Sequence, residues 1–540
     1  MRQLSPRLTT SVLLAALVTG CAPGHDYDTF IGCRSDSECD EDEVCFIDGC
    51  GNPGKDIVVE VVPNPKVGLH AQDFRVDDLR SQQNIELLDP ATLQGQVLVQ
   101  GESSTSGYPA SVTLRMTGES LLIPGVRRYH ESTFVPQNGG YSLPVASGHY
   151  SVTLLATNSE QPPLTSTRDV QPGRAVSLDF LLPDTSKLVR LSGTVVDQAG
   201  KPMDVDMEVQ ALDDQLRPLS QRVLATRLAE GKFTLALPPS AAQRDTVILQ
   251  VLPTSAASLV PQKLFTVSPR PDRQQTLSMG DYGEPVRFLG RVLNRTGQPV
   301  PHASVYLAGG VSGGGQYRSQ TVLTDENGRF ELLTLPSGPS SSMTLSVIPP
   351  SGSSAGYTQR YVNVPRVSVT ETQDVVCQER MKVRGSLLKP SDSEPAAGVR
   401  VVAEPIEELP GWPRPTVSVE APRPTDDQGN FELALDPGRY RFDFIPTEDL
   451  PIVSRIVLVR PEEDEPSAEP LELTTFTLSK GRRVTGQVNF NGGRMARVSA
   501  PYASIRFFRV VEVEGKPSPL LLAQTLTDQN GNYSTTLPAR

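Results

Sequence analysis

The sequence predicts an all-β protein: a tandem array of antiparallel β-sandwich domains following a signal peptide and a small disulfide-rich module. Three observations carry this. Apolar and polar residues alternate with period two in short runs such as Phe431-Glu-Leu433-Ala-Leu435 and Tyr440-Arg-Phe442-Asp-Phe444, the pattern of half-buried strands. Proline or glycine breaks each run after a few residues, and no helical periodicity follows the N-terminal apolar stretch. The chain also repeats itself about every hundred residues.

The repeat is set by five similar openings: Leu93-Gln-Gly95-Gln-Val97, Leu191-Ser-Gly193-Thr-Val195, Phe288-Leu-Gly290-Arg-Val292, Val383-Arg-Gly385-Ser-Leu387 and Val484-Thr-Gly486-Gln-Val488. Successive glycines are 98, 97, 95 and 101 residues apart, so each period is the size of one small sandwich. A second landmark follows: Thr324-Asp-Glu-Asn-Gly328-Arg-Phe330, Thr425-Asp-Asp-Gln-Gly429-Asn-Phe431 and Thr527-Asp-Gln-Asn-Gly531-Asn-Tyr533, with weaker forms at Gly140-Tyr141 and Gly231-Lys-Phe233. This is turn chemistry, because aspartate accepts bonds from nearby backbone N–H groups and glycine adopts positive φ freely. Calcium is a secondary reading, since one aspartate per turn offers few oxygens to an ion that takes six to eight.

The order G-x-V, then Gly297-Gln-Pro299-Val-Pro-His-Ala303-Ser-Val305, then Thr-Asp-x-x-Gly-x-Phe and Leu335-Pro-Ser-Gly338, resembles the carboxypeptidase regulatory-like domain, a transthyretin-like or carbohydrate-binding-like sandwich. Repeat three matches best, and the resemblance covers residues 91–540. It implies a fold and little about role. The expected organisation is a signal peptide at 1–20, a lipid tether and four-cysteine module at 21–54, and a linker or strand segment at 55–90. Sandwich repeats then span 91–184, 185–284, 285–379, 380–480 and 481–540. The fifth ends at Leu537-Pro538-Ala539-Arg540, without the strand that repeat four has at Tyr440–Phe444, so it is either completed by another element or cut short. Connectors of under ten residues predict a semi-rigid rod, projecting on the order of 150 Å if each module adds roughly 30 Å.

At the N-terminus, Arg2 and Arg7 precede the short apolar run Ser11–Val18, as in an export signal too short to span a bilayer. The run ends in Leu17-Val18-Thr19-Gly20-Cys21, which resembles a bacterial lipobox and implies acylation of Cys21; the plain alternative is a cleaved signal that leaves the thiol for a disulfide. Ala22 rather than aspartate after the cysteine favours the outer membrane. Four more cysteines, Cys33, Cys39, Cys45 and Cys50, lie in a stretch too poor in apolar residues for its own core. The stretch resembles the four-cysteine modules that follow lipobox tethers in secreted proteins of myxobacteria. Two disulfides of undetermined pairing are expected; zinc is the competing reading, without a close Cys-x-x-Cys pair or a histidine to support it. The acidic residues Asp36, Glu38 and Asp40–Glu43 read as a solvated charge run, and Cys377 as a buried free thiol.

A net charge of −12 excludes the basic footprint of a nucleic-acid-binding protein. No catalytic constellation emerges. The five histidines, at 25, 70, 130, 149 and 302, form no zinc-ligand pair, and Gly310-Val-Ser312-Gly-Gly314 fits a nucleophile elbow only in letters, lying in a glycine-rich loop. No metal and no cofactor are expected. The predicted role is a non-catalytic, envelope-anchored interaction or scaffold rod, with a membrane as partner through its lipid and glycans or envelope proteins as further partners. The alternative is a polysaccharide- or peptidoglycan-binding protein, with Trp412 between prolines as the candidate stacking residue; ordinary packing is the plainer role for that ring.

Overall fold

Each repeat glycine lies where no side chain fits. In the computed structural model, residue 33 and residues 35–539 are described, apart from 102–104, 158–159, 256, 272, 339–340, 369–370, 391–393, 408–416, 448, 462–468, 492–496 and 514. Gly95, Gly193, Gly290, Gly385 and Gly486 stand directly opposite Tyr141, Phe233, Phe330, Phe431 and Tyr533 on the neighbouring antiparallel strand. A Cβ at Gly290 would come within 2.2 Å of the Phe330 ring, and one at Gly385 within 2.5 Å of the Phe431 ring. In repeats two to five the two sequence landmarks are therefore one contact, a ring laid over bare backbone, which fixes the strand register; at Gly95 the Leu178 carbonyl fills that space.

The Thr-Asp turns hold the same register from outside. Asp325, Asp426 and Asp528 each use one carboxylate oxygen to accept two backbone N–H groups, from Asn327 and Arg329, Gln428 and Asn430, and Asn530 and Asn532, at 2.7–2.9 Å. Thr324, Thr425 and Thr527 are buried, donating to Val300, Ala396 and Ala500 carbonyls and accepting from Ala303, Val399 and Ala503 amides. These contacts give the motif a structural use in the turn.

Repeat three shows the common plan. Val286–Leu293 pairs antiparallel with Arg329–Thr334 and parallel with Gln373–Val376, forming one sheet. The facing sheet runs Gln316–Arg318, Ser304–Gly310, Met343–Ile348, Thr358–Val362. Phe288, Val292, Val305, Leu307, Leu345 and Val347 fill the space between. Burial alternates along Arg329–Thr334, as the sequence pattern predicts. Among the described residues the only helical turns are four short 3-10 segments.

The fifth sandwich is completed by the N-terminal segment. Lys480–Asn491 pairs with Asn532–Ala539 and, in parallel, with Ile85–Leu87. Ser504–Val513 pairs with Lys516–Leu526 and with Ile57–Val62, which in turn pairs with Gln72–Val76. Residues 57–87 thus supply the strands that repeat four builds from Gly438–Ile445, Val453–Val459 and the short pair Leu471–Glu472 and Phe476–Thr477. Repeat five is completed by another element of the chain. Its core mixes Ile57, Val59, Val61, Ile85 and Leu87 with Val484, Val488, Ile505, Phe507 and Leu537.

This pairing replaces the expected rod with an array whose contacts close on themselves. Gln221 donates to the carbonyls of Ala156 and Gln161 between sandwiches two and one. Gln262 and Gln316 exchange backbone bonds between two and three. Asp436 accepts from Tyr357 N between four and three. Ile452 N donates to Leu522 O between four and five. Sandwiches five and one meet at Val58, Ile123 and Phe508, all buried. Of the linker and strand readings of 55–90, the run Ile57-Val-Val-Glu-Val-Val62 is a strand, buried on both faces, and its pairing with the last sandwich is what the end-to-end reading did not include.

Gly290→Ala is expected to destabilise sandwich three by about 1–3 kcal/mol through overpacking against Phe330, while Gly352→Ala, with open space around its Cβ, is expected to change little. Thermal unfolding of the two variants side by side checks this.

Candidate functional site

A set of buried polar contacts that draws on both halves of the chain lies at the seam between sandwiches five and one. Glu60 is fully buried in the middle of Ile57–Val62, on the face away from the sandwich core. It accepts from Arg128 Nη1 at 2.7 Å and pairs with Arg506, its direct cross-strand neighbour. Arg128 Nη2 reaches Asp73 Oδ1 at 2.8 Å, and Ser120 Oγ donates to Asp73 Oδ2 at 2.5 Å. Burial raises the Asp73 carboxyl above its ordinary range, with Arg128 acting against that shift. Burying charges is costly, and here each has an opposite charge within bonding distance.

Further arginines from the C-terminal half hold the N-terminal segment. Arg482 donates to Leu79 O at 2.7 Å; Arg509 donates to Asn52 O at 3.0 Å and lies over the Phe46 ring at 4.1 Å. Beside Arg128, His130 meets His70 edge to face, with ring centroids 6.1 Å apart. Burial lowers both imidazoles, and the neighbouring His130 lowers His70 further.

The cysteine module is built into this seam. Cys33 bonds Cys45 and Cys39 bonds Cys50. Sulfurs of Cys33, Cys39 and Cys50 come within 4.8 Å of one another because the two disulfides are adjacent, and a sulfur held in a disulfide is no thiolate ligand, so the zinc reading gives way. Asp36, read as part of a solvated charge run, accepts from Cys45 N at 2.8 Å and from Ser479 Oγ at 3.2 Å. Ile47 packs with Ile456, Val511 and Leu520, joining the module to sandwiches four and five. The fully buried Arg455 donates to Cys45 O at 3.3 Å and to Ser454 O at 2.8 Å, and burial pushes its guanidinium down to about 10.

The remaining sequence candidates fall elsewhere. Cys21 and Trp412 lie outside the described residues. Cys377 is a buried free thiol pushed up to about 11 by burial, which makes it a poor nucleophile. Ser312 is buried, and its Oγ accepts from Arg366, a group that takes no proton, so the elbow-like motif has no base at that contact. Among the hollows on the array, two are large. One of about 650 Å³ on sandwich four is lined by Arg384, Arg423, Asp426, Asn430, Glu432 and Glu472. The other, of about 1070 Å³, lies between sandwiches two and three beside the Gln262–Gln316 bridge.

The seam was missed in the sequence because its partners lie far apart: Glu60 and Arg506 are strand neighbours separated by most of the chain. The available signal was Ile57–Val62 itself, a β-branched run with one carboxylate in its centre.

The chain matches no family model and no curated protein. Similar solved structures include a streptococcal ancillary pilin, 11% identical with a TM-score of 0.23, covering 54% of this chain and 99% of that one. The shaft pilin SpaA from Lactobacillus rhamnosus GG is 10% identical with a TM-score of 0.19, covering 36% of this chain and 97% of its own. The full-length RrgB pilus protein from Streptococcus pneumoniae is 8% identical with a TM-score of 0.14, covering 73% and 99%.

Two outcomes are expected at the seam. Arg128→Ala leaves Asp73 buried without its cation and removes one of the two on Glu60, a loss of about 3–5 kcal/mol of local stability; faster amide exchange in Ile57–Val62 reads it. For pH, the lowered histidines favour a neutral folded state, so stability is expected to fall as pH drops through about 6.5, the unfolded histidine value. Asp73, raised in the fold, works in the opposite direction as its carboxyl takes up a proton. Melting temperatures between pH 7.5 and 5.5 check this, and His130→Phe is expected to flatten the dependence.

Proposed function

We propose that this protein is a non-catalytic scaffold of the bacterial cell envelope, held to the outer membrane by lipid on Cys21 and offering its sandwiches to envelope partners as one connected body. The observation that carries the reading is the placement of the segment following the lipobox-like Leu17–Cys21. Residues 33–87 are built into the last sandwich and touch the first, so a lipid at Cys21 would hold the whole array rather than the foot of a stalk. The pairing of the buried charges supports a structural use for them. The carboxypeptidase regulatory-like assignment of the repeats belongs to the same proposal and rests on the motifs, whose glycine, turn and aromatic positions form one repeated contact. Among the described residues no helix is long and apolar enough to cross a membrane.

A second reading is binding of polysaccharide or peptidoglycan. The hollow on sandwich four favours it, because Arg384, Asn430 and Glu432 present planar hydrogen-bonding groups around an open concavity.

Labelling of cells with a fatty-acid analogue is expected to mark the wild-type chain and not Cys21→Ser, with the variant released from the membrane fraction. Unchanged membrane retention of Cys21→Ser would remove the lipid anchor from the reading. For the second reading, saturable binding of the purified chain to polysaccharide or peptidoglycan, lost in Arg384→Ala or Trp412→Ala, is the expected outcome; no binding to either would discard it for those ligands.

A further inference from the structure

We propose that the seam which closes the array within one chain also joins one copy of the chain to the next, by exchange of the N-terminal segment between copies. The fifth sandwich consists of two complementary halves. The donor half is residues 57–87, whose inward face carries Ile57, Val59, Val61, Ile85 and Leu87. The acceptor half is residues 480–539, which without the donor leaves Val484, Val488, Ile505, Phe507 and Leu537 uncovered on one side.

The halves are tied to different sandwiches, the donor to one and the acceptor to four, while Phe508 against Ile123 and Ile47 against Ile456 cross the seam and would be exchanged with it. The donor is tied to sandwich one by Arg128 on Glu60 and Asp73, by Ser120 on Asp73, and by Ile123 against Val58. Gln72, at the edge of the donor, exchanges side-chain bonds with both backbone groups of Leu88, and Gly173 N donates to Asp89 O, so the short connection to sandwich one is also held. The acceptor is tied to sandwich four through Ile452 N and Leu522 O. Between the halves run two ladders, Ile57–Val62 with Ser504–Arg509 and Ile85–Leu87 with Val488–Phe490.

None of these contacts depends on the halves belonging to one chain. The donor end of one copy fits the acceptor end of another with the same ladders, the same core and the same Glu60–Arg506 pair. Donor and acceptor are different surfaces, so the contact is head to tail and propagates unless it closes. The partner is a second copy of this chain, and the mode is strand addition. Closure within one chain competes at an effective concentration on the order of millimolar. Exchange is therefore expected to grow as protein concentration approaches that range.

The test uses full-length chains in a Cys21→Ser, Cys377→Ser background, refolded from denaturant without reductant. Val62 and Ser504 are direct partners at the end of the ladder, Val62 is exposed, and antiparallel partners lie at disulfide distance. One chain carries only Val62→Cys and a second, with a different mass tag, only Ser504→Cys. The expected result is a disulfide between the two kinds of chain at those positions, identified by peptide mass, whose yield is several-fold greater on refolding at about 500 µM than at about 1 µM. A chain carrying both substitutions reports on the seam itself and is expected to close within one molecule at the lower concentration. If the double variant closes and the mixed chains never join above their low-concentration level, exchange is overturned. If the double variant fails to close, the register on which exchange depends is overturned with it.

Discussion

A single carboxylate holds the architecture at its most demanding point. Glu60 is buried, and a lone buried carboxylate would take up a proton or disrupt the strand that carries it. It is met by Arg506 from the adjacent strand and by Arg128 from the first sandwich, so one acid draws together three parts of the chain. The interaction is specific as well as favourable. The apolar surfaces of Val58, Ile123 and Phe508 would tolerate several orientations, whereas two guanidinium groups aimed at one carboxylate select one.

The sandwiches were legible in the sequence because their determinants are local. Gly290 and Phe330 are 40 residues apart and belong to one repeat, and the pairing recurs in all five repeats, so repetition exposed it. The turn aspartates were legible for the same reason: Asp325 bonds Asn327 and Arg329, within four residues. The seam has no such periodicity. Arg128 occupies an outer strand whose other residues alternate between exposed and half-buried, and nothing near it in sequence distinguishes it from Arg127. The four cysteines were legible as a disulfide module, while their pairing was set by the hairpin Val44–Phe46 and Gly49–Gly51, whose turn brings Cys45 opposite Cys50 and leaves each to bond a different upstream cysteine.

Closure also changes what the hollows and seams mean for one another. In an open row, movement at the Gln262–Gln316 bridge between sandwiches two and three would be free of constraint from the ends. Here both ends are pinned at sandwich five, so opening the cleft beside that bridge must be accommodated at other seams as well. Those include Arg380, which donates to the carbonyls of Pro350 and Ser351 across the three–four junction, and the buried Arg455 contact with Cys45.

The two ladders along Ile57–Val62 give the protein a mechanical property. This strand is hydrogen-bonded on one edge to Gln72–Val76 and on the other to Ser504–Arg509. A pull from the N-terminal side therefore loads both rows of bonds in shear, so that they resist together instead of peeling one at a time. Upstream, the disulfides limit how far residues 33–50 can extend before that load arrives. Forced detachment is governed by an unfolding rate rather than by equilibrium stability. Ile57–Val62 is thus placed where tension arriving from the N-terminal side would meet two rows of hydrogen bonds at once.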